Sequence, residues 1–226
     1  TAYLWRPRRG TPPFQTVVFF PGSNALTLRT FDPVATARTF DFLMKSGRAV
    51  LVPIYKSTWE RGDGFESDIG DLSAAYRDHV VMWVKDFRRS VDYLATRADV
   101  DSSRLGYYGI SWGGYLGGLI PAVEPRIKAV VLQVAGLLLQ RSSPEVESFN
   151  YLPRITQPVL MLNGRYDHYF PVESSQMPFF RALGTPAARK RQVIAEGGHF
   201  VPRNQIIAET LDWLDRYLGP TTRSSR

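Results

Sequence analysis

The 226-residue chain contains no cysteine and only three histidines, His79, His168 and His199. Without cysteine there is no disulfide framework, no thiolate zinc site and no cysteine nucleophile. With so few imidazoles, any chemistry that needs a proton carrier near neutral pH draws on a short list. Long apolar runs are also missing. The best of them, residues 129–139, is broken by Gln133 and is too short to span a bilayer. No basic-then-apolar leader opens the chain. Lys and Arg outnumber Asp and Glu by 28 to 21, a net charge of +7, and the pI is near 9.8. A pI this high raises nucleic acid as a partner, but the basic residues are scattered and form no basic arm. No nucleic-acid partner is expected, and the excess charge is assigned to solubility and steering.

What is present is the composition of a globular protein: 44% hydrophobic and 13% aromatic residues, with 18 Gly and 16 Pro spread along the chain. Apolar, strand-like runs cover residues 16–20, 48–54, 104–109, 129–134, 158–162 and 191–195, and the opening residues 1–5 also read as strand. Helices are expected over 33–44, with Asp32 as N-cap and Pro33 at the first position, and over 72–96, 113–120, 172–183 and a closing segment through Leu218. Nearly all-apolar strands alternating with helices imply a mostly parallel sheet covered on both faces. With no repeat and no low-complexity linker, residues 1–226 read as a single domain. Residues 137–157 are the one candidate insertion, too short for a second domain.

The informative motif is Gly109-Ile110-Ser111-Trp112-Gly113, a G-x-S-x-G between a strand and a helix. The pattern has a steric basis. A serine on a sharp, strained strand-to-helix turn needs glycines beside it, because Cβ atoms there would clash. The plain alternative is a tight turn with a serine N-cap. A serine hydroxyl needs an adjacent base to act as a nucleophile, and on such an elbow the acid and then the histidine follow in the chain. Asp167 lies just past strand 158–162 and His199 just past strand 191–195, both at carboxyl ends of parallel strands, where open α/β sheets bind ligands. Asp167 as a turn cap, with Glu173 as a poorer acid inside the next helix, and His199 as an ordinary loop histidine are the alternatives. His168 would have to double back to serve Ser111 and is read as a pocket-wall or supporting residue, and His79 as a structural histidine in its helix.

Charge developing on a carbonyl oxygen needs preorganised donors. The backbone N–H of Trp112 is one candidate; the other comes from Pro21-Gly22-Ser23-Asn24, with Ser23 preferred and Asn24 second, since Pro21 has no N–H. The loop 55–70 and residues 137–157 are expected to wall the pocket. Trp59, Trp112, Phe149, Tyr166 and Phe170 are candidate apolar linings of that pocket, with Asn24 as a polar one, although aromatics are more often plain core. The metalloprotease H-E-x-x-H, the P-loop and the dinucleotide G-x-G-x-x-G are all missing, so no metal and no cofactor are expected.

Phe20-Pro-Gly-Ser23, Val100-Asp-Ser-Ser-Arg104-Leu-Gly-Tyr-Tyr-Gly-Ile-Ser-Trp-Gly-Gly114, Pro125-Arg-Ile-Lys-Ala-Val-Val131, Pro158-Val-Leu-Met-Leu-Asn-Gly-Arg-Tyr-Asp167 and Gly197-Gly-His199 run in one order along the chain. Together they resemble the α/β-hydrolase family, within its dienelactone-hydrolase and prolyl-oligopeptidase-like branch. The resemblance implies the α/β-hydrolase fold without a large cap domain. It also implies Ser111 as nucleophile, His199 as base, Asp167 as orienting acid, and the Ser23 and Trp112 amides as oxyanion hole. Cutinase-like polyester hydrolases share a comparable Pro-Gly-x-x loop, though their elbow is less similar. Dienelactone hydrolases proper use a cysteine nucleophile, and prolyl oligopeptidases carry a propeller that 226 residues cannot include. The family's first strand is missing before Thr1, so the chain is expected to be a trimmed product or the hydrolase domain of a longer protein. The expected function is a serine hydrolase that cleaves carboxylic esters, short-chain or aryl, through an acyl-enzyme, with a small-molecule ester as its partner. A peptidase acting on short peptides and a catalytically silent binding module are the rival readings. Oligomeric state and compartment carry no sequence signal.

Overall fold

Strands that are apolar on both faces need cover on both sides, and the chain supplies it. The computed structural model describes residues 1–221. In chain order the elements are β1 (Ala2–Trp5), β2 (Phe14–Phe20), α1 (Asn24–Thr27), α2 (Pro33–Lys45) and β3 (Ala49–Pro53). They continue with α3 (Ala74–Ala95), β4 (Val100–Ile110), α4 (Trp112–Leu116), α5 (Ile120–Val123) and β5 (Ile127–Gln133). The chain closes with β6 (Val159–Gly164), α6 (Met177–Ala182), β7 (Lys190–Ala195) and α7 (Arg203–Leu218). The sheet order is β1-β3-β2-β4-β5-β6-β7. Only β1 pairs antiparallel, on β3; every other pairing is parallel. This is the α/β-hydrolase arrangement expected from the sequence.

The two-residue period of the strands sorts the core into two layers. Val18, Phe20, Leu105, Tyr107, Val130, Leu132 and Met161 pack with the α3 stripe of Tyr76, Val80, Trp83, Phe87, Val91 and Leu94. Their neighbours Val17, Phe19, Tyr108, Val131, Leu160 and Leu162 face the other way, against Phe40 and Leu43 of α2 and Trp213, Leu214 and Leu218 of α7. The α2 start is as the sequence implied, with the Asp32 carboxylate accepting from Val34 N at 2.8 Å and Ala35 N at 2.9 Å.

Two helices differ from expectation. The segment after the elbow is not one helix but α4 and α5, separated around Gly117 and Gly118. A Cβ on Gly117 would lie 2.3 Å from a Leu132 methyl, so the backbone runs too close to β5 for a side chain. The segment expected as a helix over 172–183 opens instead as a π turn, Val172–Gln176, before α6.

At the opposite end of the sheet from the strand carboxyl termini, Arg48 is fully buried and fastens α7. It donates to Asp215 Oδ1 at 2.6 Å, Gln15 Oε1 at 3.0 Å, Ser46 Oγ at 3.1 Å and Gly219 O at 3.3 Å. Gln15 in turn donates to the last helical carbonyl, Leu218 O, at 3.1 Å, which otherwise has no intrahelical partner. Arg48→Met keeps the volume but strands these acceptors. Because Asp215 is 43% exposed and can rehydrate, the expected loss is about 2–3 kcal/mol, below that of a fully buried broken pair. Denaturant unfolding measures it, and an unchanged midpoint would show that the cluster does not hold α7.

Candidate active site

The chain turns from β4 into α4 at Ser111, which has φ 54° and ψ −107°, a conformation that L-residues rarely adopt. The neighbouring glycines permit it. A Cβ on Gly109 would sit 2.2 Å from Gly113 O, and one on Gly113 would sit 2.4 Å from Phe20 O. The turn is tied on both sides: Ser111 N donates to Gln133 O of β5 at 2.9 Å, and Gly113 N to Pro21 O at 3.0 Å. Tyr107 OH caps the Gly113 carbonyl from below at 2.5 Å. Trp112 N, at the first helical position, has no carbonyl four residues back within the helix to receive it. The loop after β2 lies alongside, with the Cβ direction of Gly22 pointing 3.7 Å from Ser111 Cβ. Ser23 is partly buried there and Asn24 is exposed at the start of α1.

The loops after β6 and β7 are bound to each other. Arg165 N donates to Ala195 O and Tyr166 N to Gly197 O, both at 2.9 Å. A Cβ on Gly164 would lie 1.8 Å from Gly198 O, so the two backbones touch. At the rim, Arg165 Nε meets Glu196 Oε1 at 2.5 Å and holds the Glu196 carboxyl below its usual value. Asp167, 3% exposed, accepts from Tyr169 N at 2.9 Å and Phe170 N at 3.1 Å on Oδ1. Its Oδ2 lies 2.9 Å from His199 Nδ1, and His199 Nε2 lies 2.8 Å from Ser111 Oγ. With Nδ1–H on a carboxylate, the Nε2 lone pair is left for the serine hydroxyl. That is the arrangement by which a hydroxyl becomes a competent nucleophile.

The remaining histidines stand apart. His168 is exposed and packs against the Tyr169 ring, with centroids 4.1 Å apart. His79 stacks on Phe65 at 3.9 Å and places Nδ1 2.6 Å from Ala75 O and Nε2 3.1 Å from Asp63 Oδ2. It staples the loop 55–70 to α3.

The pocket candidates divide. Phe170 is buried, its ring 6.0 Å from that of His199, and Tyr166 is exposed on the acid loop. Trp59, 5% exposed, packs edge-on against Phe31, 4.8 Å away, in the core cluster facing α2 and α7. The Trp112 indole is likewise core, wedged between Phe20 and Trp83 at 4.8 and 4.7 Å. Phe149 is half exposed on a short turn at 148–150, and none of the contacts among the site residues above includes it. Sequence reasoning passed over Tyr169 and Phe200, both largely exposed, whose rings lie 4.8 and 5.9 Å from that of His199. Their adjacency to Asp167 and His199 in the chain was the available signal.

The sequence model of the PET hydrolase-like family matches residues 73–226, more than half of the chain. The chain belongs to that family. This PET hydrolase-like chain is 32% identical over 143 residues to the bis(hydroxyethyl) terephthalate hydrolase of Streptomyces coelicolor, covering 59% of this chain and 42% of that protein. It is 28% identical over 145 residues to Cutinase 2 of Thermobifida cellulosilytica, covering 59% of this chain and 51% of that one. The matched stretches thus span about half or less of these curated relatives. Among solved structures, a cold-adapted esterase from an Arctic intertidal metagenomic library superposes with a TM-score of 0.72 at 20% identity, covering 96% of this chain and 87% of that one. Est1E of Butyrivibrio proteoclasticus, solved with ferulic acid, gives 0.69 at 16%, covering 96% and 95%. At these identities the likeness is one of fold.

The close approaches at the elbow yield a direct test. Gly113→Ala drives a methyl into backbone, so it is expected to destabilise the protein by at least about 3 kcal/mol. At Gly198 the added methyl meets nothing nearer than Tyr166 O at 3.8 Å, and Gly198→Ala should shift stability by less than about 1 kcal/mol. Thermal unfolding of the pair separates the two, and equal stability would remove the steric account of the elbow.

Proposed function

We propose that this chain is a carboxylic-ester hydrolase that works through an acyl-enzyme on Ser111. The observation that carries the reading is the unbroken run Ser111 Oγ to His199 Nε2 at 2.8 Å and His199 Nδ1 to Asp167 Oδ2 at 2.9 Å. Ser111 Oγ attacks the ester carbonyl while His199 Nε2 takes its proton. The oxyanion is held by the amides of Ser23 and Trp112, commonly the largest single contribution to such catalysis. As the tetrahedral adduct collapses, the C–O bond breaks and His199 returns the proton to the departing alcohol. Water then repeats the sequence on the acyl-enzyme, losing its proton to His199 and releasing the acid. Asp167 fixes the imidazole tautomer and stabilises the imidazolium throughout.

Short-chain or aryl esters are the proposed substrates. The exposed rings of Tyr166, Tyr169 and Phe200 offer apolar surface beside the site to an aromatic or alkyl group. Family membership and the terephthalate ester hydrolysed by the Streptomyces coelicolor relative support the same class. Residues 1–226 are proposed to act as one hydrolase domain, with the segment 137–157 beside the site and no cofactor taking part.

Hydrolysis of p-nitrophenyl butyrate and of bis(hydroxyethyl) terephthalate, with labelling by a fluorophosphonate, tests the assignment. Ser111→Ala should abolish both labelling and turnover, and Asp167→Asn should lower kcat on the order of 10³–10⁴-fold. His199→Ala should be inactive and His168→Ala active. Equal rates for wild type and Ser111→Ala would sink the nucleophile assignment, and the reverse pattern for the two histidines would move the base. Cleavage of aminoacyl anilides but not esters would mark a peptidase. Neither turnover nor labelling in the wild type would mark a binding module.

A further inference from the structure

The π turn Val172–Gln176 ends on a glutamine that the chemistry above does not use. Gln176 is fully buried. Its Nε2 donates to Gly164 O at 2.9 Å and to Phe170 O at 2.7 Å. Those two carbonyls bracket the loop that carries Asp167: Gly164 closes β6, and Phe170 is the residue whose amide already donates to the Asp167 carboxylate. Since both partners are carbonyls, only the NH2 group can face them, which fixes the orientation of the amide. The other half of the group, Oε1, is buried with no hydrogen-bond partner among the described residues. An apolar residue of the same size would avoid the orphaned oxygen but would leave both carbonyls without this donor. What the amide alone supplies is a two-pronged tie across the ends of the acid loop. The backbone amide of Gln176 closes the wide turn onto Pro171 O at 3.2 Å, so the clamp is itself anchored next to the loop it grips. π turns of this kind recur at functional sites.

We propose that Gln176 is a positioning residue for ester hydrolysis: by clamping Gly164 O and Phe170 O it holds the Asp167 carboxylate on His199 Nδ1. The inference rests on the triad reading and adds to it a residue that touches neither substrate nor imidazole. It predicts that removing the amide lowers kcat through Asp167 and leaves KM nearly unchanged. Gln176→Met deletes both donors and also the orphaned acceptor. Because two buried carbonyls lose their donor, the melting temperature should fall modestly. Meanwhile kcat for p-nitrophenyl butyrate falls by about tenfold to a hundredfold, the scale of a small misplacement of a catalytic group, with KM nearly unchanged. Gln176→Leu likewise loses both donors; it should lower kcat as far and serves if methionine packs badly.

The deciding measurement is a double-mutant cycle in the full chain. If Gln176 acts through Asp167, then Gln176→Met adds no further loss of kcat in an Asp167→Asn background. A loss that multiplies through in that background, or an unchanged kcat in both single variants at Gln176, overturns the clamp while leaving the triad intact. An Asp167→Asn enzyme with wild-type kcat overturns the triad reading and the clamp with it. The kcat of Asp167→Asn alone thus tells the two failures apart.

Discussion

Ser111 holds φ 54° and ψ −107°, a conformation that costs on the order of 1–3 kcal/mol in an ordinary segment and persists only where the surroundings over-determine it. Much of the sheet's carboxyl edge serves that end. Gln133 O of β5 takes the Ser111 amide, Pro21 O takes the Gly113 amide, and Tyr107 OH reaches up from β4 to the Gly113 carbonyl. The β2 carbonyl of Phe20 approaches so near that only glycine fits at 113. Three neighbouring strands therefore converge on one turn, and the serine oxygen is presented above the sheet by a backbone that has nowhere else to go. The loop after β2 is brought beside the first amide of α4 by the same contacts, so the donors proposed for an oxyanion share their scaffold with Ser111.

A second convergence, two strands away, is looser. The loops after β6 and β7 meet through two backbone hydrogen bonds and the glycine contact at 164 and 198, with an exposed Arg165–Glu196 pair at the rim. An exposed pair contributes little once solvent and salt screen it. The buried donors matter more. Asp167 Oδ1 is occupied by two amides of its own loop, which leaves Oδ2 for the imidazole. The carboxylate is thus oriented before His199 is considered, and the histidine inherits its tautomer from it.

The Ser111 elbow and the placement of Asp167 and His199 were legible in the sequence because each is a small pattern fixed by local sterics or by its place after an apolar strand. The parallel, doubly covered sheet was legible for a similar reason: runs such as Val17 to Phe20 and Val130 to Leu132 leave no polar face. Other features lay beyond local pattern. The glycine at 117, beside the break between α4 and α5, is required because Leu132, far along the chain, occupies the space where a side chain would lie. Trp59 and Phe149 read alike as aromatics in loops, yet one packs on Phe31 in the core and the other is half exposed. Exposure is decided by what the rest of the chain brings against a residue. Tyr169 and Phe200 escaped for the converse reason, since nothing in an aromatic residue's identity announces that its ring is left uncovered.

The uncovered rings follow from how the site is held. Ser111 and Asp167 are both fixed by backbone: Ser111 by the strand ends, and Asp167 by two amides of its own loop. Nothing above the sheet is needed to keep them in register, so that side is free to carry Tyr166, Tyr169 and Phe200 exposed by 67%, 62% and 81%. Large apolar groups left in water beside the proposed reactive centre gain when a partner covers them, on the order of 25 cal/mol for each Å² removed from solvent. In the proposed reaction, substrate binding at such an edge draws on area, whereas bond cleavage draws on the rigid hydrogen-bonded run below it. The two demands fall on different atoms, which is why changes at the rim should act mainly on KM while changes beneath the loops act mainly on kcat.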